Sequence, residues 1–141
     1  MTTRLLSYLL ALSVVTVVLV YILDVPTFVS QAPKLVREYY YDNAVKSFVL
    51  DVFLFMIYIS VGMFVADRLH IKPTDDAARV MTLAATSAAL STLAMFLFVN
   101  SSRKSFFTRW FKAVGARAIV YDVIMVCSVY VVMVRLHETI L

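Results

Sequence analysis

The chain has 141 residues, of which 62% are hydrophobic, with a mean hydropathy of +0.89 and a formal charge of +4. A soluble domain is nearer half apolar, and only two glycines and three prolines are present. Four long apolar runs absorb most of the sequence, which leaves no room for a soluble catalytic domain.

The first run, residues 5–23, is uncharged and lies between Arg4 and Asp24. A crossing of a hydrocarbon layer about 30 Å thick takes about 20 residues, and all four runs are near that length. Its apolar core exceeds the roughly 7–15 residues of a secretory signal, and Pro33 after Ser30-Gln31-Ala32 makes a poor cleavage site. The run is therefore expected to be retained as an anchor. PKLVREYYYDN (33–43) follows, with Leu35, Val36, Tyr39 and Tyr40 on one side of a short amphipathic helix. The second run, residues 47–66, holds one charge, Asp51, and one interruption, Gly62. The middle connector, DRLHIKPTDDAARV, is short and mixed in charge. Thr74 is the expected N-cap of the next helix, with Asp75 and Asp76 in the first turn, where the helix dipole favours them.

The third run, residues 80–99, is uncharged and contains LAATSAALSTLA (83–94). Ala84–Ala88, Ala85–Ala89, Ser87–Ser91 and Ala88–Thr92 are pairs of small residues that let helices approach closely, so this helix is expected at the centre of a bundle. RKSFFTRWFKAV (103–114) places Phe106, Phe107, Trp110, Phe111 and Val114 on one helical face and Arg103, Lys104, Thr108, Arg109 and Lys112 on the other. A basic helix with an aromatic face belongs in the headgroup layer. Bases mixed with aromatics also occur in nucleic-acid binders, but the flanking membrane runs argue against that partner. The fourth run, residues 118–134, holds Asp122 and the single cysteine, Cys127, which reads as a small apolar packing residue.

Sliding the chain by 71 residues superposes the two halves, residues 1–70 and 71–141, of a single membrane domain. Lys46 falls on Arg117, Val49 on Val120, Asp51 on Asp122 and Val52 on Val123. Leu35, Val36, Tyr39 and Tyr40 fall on Phe106, Phe107, Trp110 and Phe111. The expected fold is all-α: a four-helix transmembrane bundle of two similar hairpins, with interfacial helices in the first and third connectors. Two crossings per half put the symmetry axis along the membrane normal. Eight bases on the face of those two connectors, against five on the other, favour that face as cytoplasmic.

An intramembrane aspartate is a functional candidate by default. With helices starting near residues 47 and 118, Asp51 and Asp122 would lie about one turn, roughly 6 Å, inside. A spacing of five residues rotates the helix by about 140°, so Lys46 does not sit over Asp51, nor Arg117 over Asp122. Across the axis, Lys46 could instead meet Asp122, and Arg117 could meet Asp51, locking the halves together. Tyr58, Ser60, Ser128 and Tyr130 are the only polar groups below the aspartates in those helices, which is thin for a proton or ion relay.

Chemistry-bearing motifs are missing. His137-Glu138 lacks the second histidine of HExxH, and there is no Gly-rich phosphate loop, GxSxG or CxxC. No catalytic residue, cofactor site or metal site is expected.

At FFTRWFKAVGARAIVYDVIMV (106–126), Phe107, Arg109-Trp110-Phe111, Gly115 and Tyr121-Asp122-Val123 give the chain a resemblance to small multi-spanning proteins of large nucleocytoplasmic DNA viruses. The likeness covers roughly the last 35 residues, and the Asp51 region more loosely. It implies a structural protein of the virion's inner membrane, inserted in host endomembrane during assembly. The basic, aromatic connectors would then face minor capsid or other viral membrane proteins. Lys104, Arg109, Lys112 and Trp110 are the expected partner-facing residues, with Phe106, Phe107, Phe111, Tyr39 and Tyr40 beside them. A homo-oligomer is a further option. The alternatives are a small transporter or channel using Asp51 and Asp122, and an accessory subunit of a host membrane complex.

Overall fold

A computed structural model describes residues 2–101 and 105–140. The first apolar run forms α1 (Thr2–Val15), which continues as a π-helix over Thr16–Ile22. Two short helices follow, α2 (Val25–Ser30) and α3 (Pro33–Arg37), and then a π-helical turn, Glu38–Asp42. The remaining elements are α4 (Ala44–Arg68), α5 (Asp76–Val99), α6 (Phe106–Val114) and α7 (Ala116–Ile140). The described residues are all-α, and four of the helices are long and apolar enough to cross a membrane. Phe53, Phe64, Phe96 and Met81 point outward at 60–71% exposure, a surface that a soluble monomer does not sustain. The chain is a multi-pass membrane protein.

The helix ends follow local chemistry. Asp75, not Thr74, caps α5: its side chain accepts from the Ala78 N–H at 3.1 Å. Asp76 then occupies the first turn, as the dipole favours. Ser105 caps α6 by accepting from the Thr108 N–H, and Gly115 ends it at φ 65°, a region that glycine enters without steric cost. That residue turns the chain from α6 straight into α7. Neither the π-helical segments nor α2 have a signal in the apolar periodicity.

In the bundle α1 packs along α7, α7 along α5 and α5 along α4. The 71-residue shift carries α1 onto α5 and α4 onto α7, so the α1–α7 and α4–α5 packings are the same contact formed twice. The α5–α7 contact has no such counterpart: α1 and α4 are not a major packing pair, and Tyr8 Oη bridges them by donating to the Val52 carbonyl at 2.5 Å. α5 lies between α4 and α7, as its small residues imply. Ser87 and Ser91 face inward, whereas Ala85 and Ala89 face out. Gly62 does not break α4. It lets α4 approach α5 closely, and a Cβ there would lie 2.5 Å from Leu83 Cδ1 and 3.3 Å from Leu83 Cα.

At the end away from the short helices, buried Arg79 secures the connector between α4 and α5. Its guanidinium donates to Asp67 Oδ1 at 2.7 Å, to the Ile71 carbonyl at 2.9 Å and to the Lys72 carbonyl at 3.1 Å.

Candidate functional site: a paired-carboxylate cavity

Between α4, α5 and α7, beneath the segments 33–42 and α6, lies a cavity of about 120 Å³. Its lining includes residues that the 71-residue shift superposes. Asp51 and Asp122 both face it, as do Tyr39 with Trp110. Tyr40 with Phe111 and Val36 with Phe107 complete four pairs of residues 71 apart. Equivalent positions of the two halves therefore face one shared space. Above it, Glu38 and Arg109, also 71 apart, form a bidentate ion pair at 2.6 and 2.7 Å.

The two carboxylates are held differently. Tyr39 Oη donates to Asp51 Oδ1 at 2.6 Å, while Asp51 Oδ2 has no hydrogen-bond partner in a side chain only 4% exposed. Ser91 Oγ donates to Asp122 Oδ2 at 2.5 Å. Tyr40 and Tyr121 share a hydrogen bond between their hydroxyls. α4 and α7 start earlier than their apolar runs do, at Ala44 and Ala116. Asp51 and Asp122 are therefore seven and six residues in, about 10 and 9 Å along the helix, deeper than one turn.

The expected cross-pairs do not form. Lys46 and Arg117 are exposed, and the ion pairs among the described residues are Arg79–Asp67, Arg109–Glu38 and Arg135–Glu138. Because both aspartates face the cavity, a base five residues upstream on the same helix is rotated away from it. Lys46→Gln and Arg117→Gln are each expected to shift stability by less than about 0.5 kcal/mol, and to add when combined. Thermal unfolding in detergent checks this, and a large, non-additive loss would reinstate the cross-pairs.

The aromatic residues expected to face a partner or lipid turn inward instead. Trp110 and Phe111 are 6% and 5% exposed, and Tyr39 and Tyr40 are buried with them. Phe106 stacks on Tyr39 and on Trp110, with ring centroids 4.8 and 6.0 Å apart, and Phe107 meets Phe98 at 5.6 Å. The apolar face of α6 finds its cover in the tyrosines of the first connector, so it roofs the cavity. Arg109 faces outward but is engaged by Glu38. Lys112 is exposed, and Lys104 lies outside the described residues.

Burial, reinforced by nearby acidic or phenolic groups, pushes the Tyr39 and Tyr40 hydroxyls well above the usual phenol range. Tyr39 therefore remains a donor to Asp51 at any physiological pH. The two N–H bonds from Arg109 hold the Glu38 carboxyl below the usual carboxylate range. A depressed folded-state value means that the latch stabilises the roof above the ordinary carboxylate pKa and loses that contribution as pH falls through the lowered one. Both side chains are partly exposed, so solvent screening keeps the contribution modest. Glu38→Gln is expected to raise the accessibility of Trp110 to a collisional quencher at neutral pH. The unaltered chain should show that rise only in acid, as pH falls through the lowered Glu38 value. Equal accessibility of both at neutral pH would remove the latch role.

No protein-family model matches the chain, and no curated protein or solved structure matches it. The fold and the cavity define a multi-pass, all-α membrane protein with paired intramembrane carboxylates. Among the described residues, no three His, Cys, Asp or Glu side chains converge. Chemically, the cavity offers two carboxylates and several tyrosine hydroxyls on otherwise aromatic and aliphatic walls.

Proposed function

We propose that the chain is a small membrane carrier that takes a monovalent cation into the cavity between Asp51 and Asp122. The observation that carries this reading is the convergence of both carboxylates on one buried space, with Asp51 Oδ2 left without a partner. A buried carboxylate oxygen without a partner is costly, and an incoming cation removes that cost. The roof of 33–42 and α6 governs entry from the headgroup side, with Glu38–Arg109 as its latch. α4 and α7 meet over a short stretch only, which makes their seam the place to open toward the other face.

The test is uptake into proteoliposomes of three labelled cations: sodium, rubidium and methylammonium. At least one should accumulate saturably, and Asp51→Asn with Asp122→Asn should reduce uptake to that of empty liposomes. No uptake of any of the three above empty liposomes would overturn the carrier reading.

A second reading, a structural protein of a viral inner membrane, draws on the resemblance of residues 106–126 and on one surface feature. Lys34, Arg37, Lys46, Lys112 and Arg117 are all exposed on the connector-bearing end, where a capsid partner would apply charge complementarity. Mass spectrometry of purified virus particles tests it: absence of the chain from the particles would remove this reading.

A further inference from the structure

Resting on the carrier reading, the geometry points to a ligand class for the same site: a small organic monocation that bears N–H donors, a primary ammonium or a guanidinium head. Size sets the first limit. A cavity of about 150 Å³ holds benzene, so the present one of about 120 Å³ admits a head group with a few carbons and little more.

The walls set the second. Tyr39, Phe55, Phe106 and Trp110 offer ring surfaces to the cavity, and an organic cation gains from such surfaces. A hard metal ion gains nothing from those ring faces and draws only on the oxygens of the aspartates and tyrosines. The hydrogen-bond inventory sets the third. Asp51 Oδ2 is a buried acceptor without a donor, and its side chain is nine-tenths or more buried. An ammonium or a guanidinium donates to it and, with several N–H groups, can donate to Asp122 as well. A quaternary ammonium has no N–H and would leave Oδ2 as it is.

The head could belong to a free amine or to an ethanolamine phospholipid, because the roof lies at the headgroup layer. Both carry the same primary ammonium.

Trp110 is the only tryptophan in the chain and lines the cavity, so its fluorescence reports occupancy directly. The full chain, in phosphatidylcholine nanodiscs, is titrated with methylammonium, guanidinium, tetramethylammonium and potassium chlorides at matched ionic strength. Methylammonium and guanidinium should give saturable shifts at least about tenfold tighter than the other two, the scale of one charge-assisted hydrogen bond. Asp51→Asn should weaken methylammonium binding by about tenfold or more. Equal response to tetramethylammonium or potassium, or no response to any of the four, would overturn the assignment. If the variant does not fold, the ligand series on the unaltered chain still decides.

Repeating the titration in nanodiscs with phosphatidylethanolamine separates the sources. Weaker apparent methylammonium affinity there assigns the site to the lipid head, and unchanged affinity assigns it to a free amine. Sodium or rubidium uptake without a methylammonium shift would sink this assignment and leave the carrier standing.

Discussion

Valine at position 62 is expected to force α4 away from α5 and to cost about 1–3 kcal/mol of stability, the usual scale for overpacking a tight interior. The obstruction has a flexible part and a fixed part. A Cβ at Gly62 meets Leu83 Cδ1 at 2.5 Å, and that side chain is fully buried with little room to rotate. Leu83 Cα at 3.3 Å belongs to the backbone of α5 and yields only if the helix moves. Gly62→Ala should be milder than Gly62→Val but not silent. Because α4 also carries Asp51, Gly62→Val should in addition disturb the Trp110 signal of the cavity. An unchanged melting temperature in detergent for Gly62→Val would show that the helices have slack there.

Arg79→Met should be the next most damaging change, at about 1.5–3 kcal/mol, the range for hydrogen bonds made by a charged group. Methionine keeps the apolar stem and removes the donors to the Ile71 and Lys72 carbonyls and to Asp67. Arg79→Lys should rescue little, since one ammonium cannot reproduce the fork that reaches three acceptors. Asp67→Asn should be much milder than either, because the Asp67 side chain is 68% exposed and rehydrates easily. Limited proteolysis of the α4–α5 connector, with thermal unfolding, checks the series. Resistance equal to that of the unaltered chain in Arg79→Met would mean that water replaces the guanidinium.

The apolar runs were legible because lipid demands length and hydrophobicity, and both are written locally. The 71-residue spacing of Asp51 and Asp122 was legible too, and both line one cavity. The inward face of α6 was also readable from its spacing, but what covers it was not. Periodicity gives a direction for Phe106, Trp110 and Phe111 and says nothing of whether lipid, a partner or Tyr39 lies there. The partners of the aspartates failed for a related reason. Pairing by charge favoured Lys46 and Arg117, while facing a common cavity favours neutral donors beside it, Tyr39 and Ser91. The π-helical stretch Thr16–Ile22 leaves no mark because nearly all its residues are apolar, and a changed period shows only against a polar face. Asp75 over Thr74 as a cap was a one-residue choice between two good capping types.

Shared walls make the hollow common property. Neither half of the chain encloses it, since each supplies one acidic wall and part of the roof. The two walls are nonetheless unlike, for one acid answers to a phenol and the other to an aliphatic hydroxyl. A guest therefore meets an inside with a left and a right. Two identical hairpins associating as separate chains would have to treat both sides alike, whereas a single covalent chain can give its occupant a preferred heading.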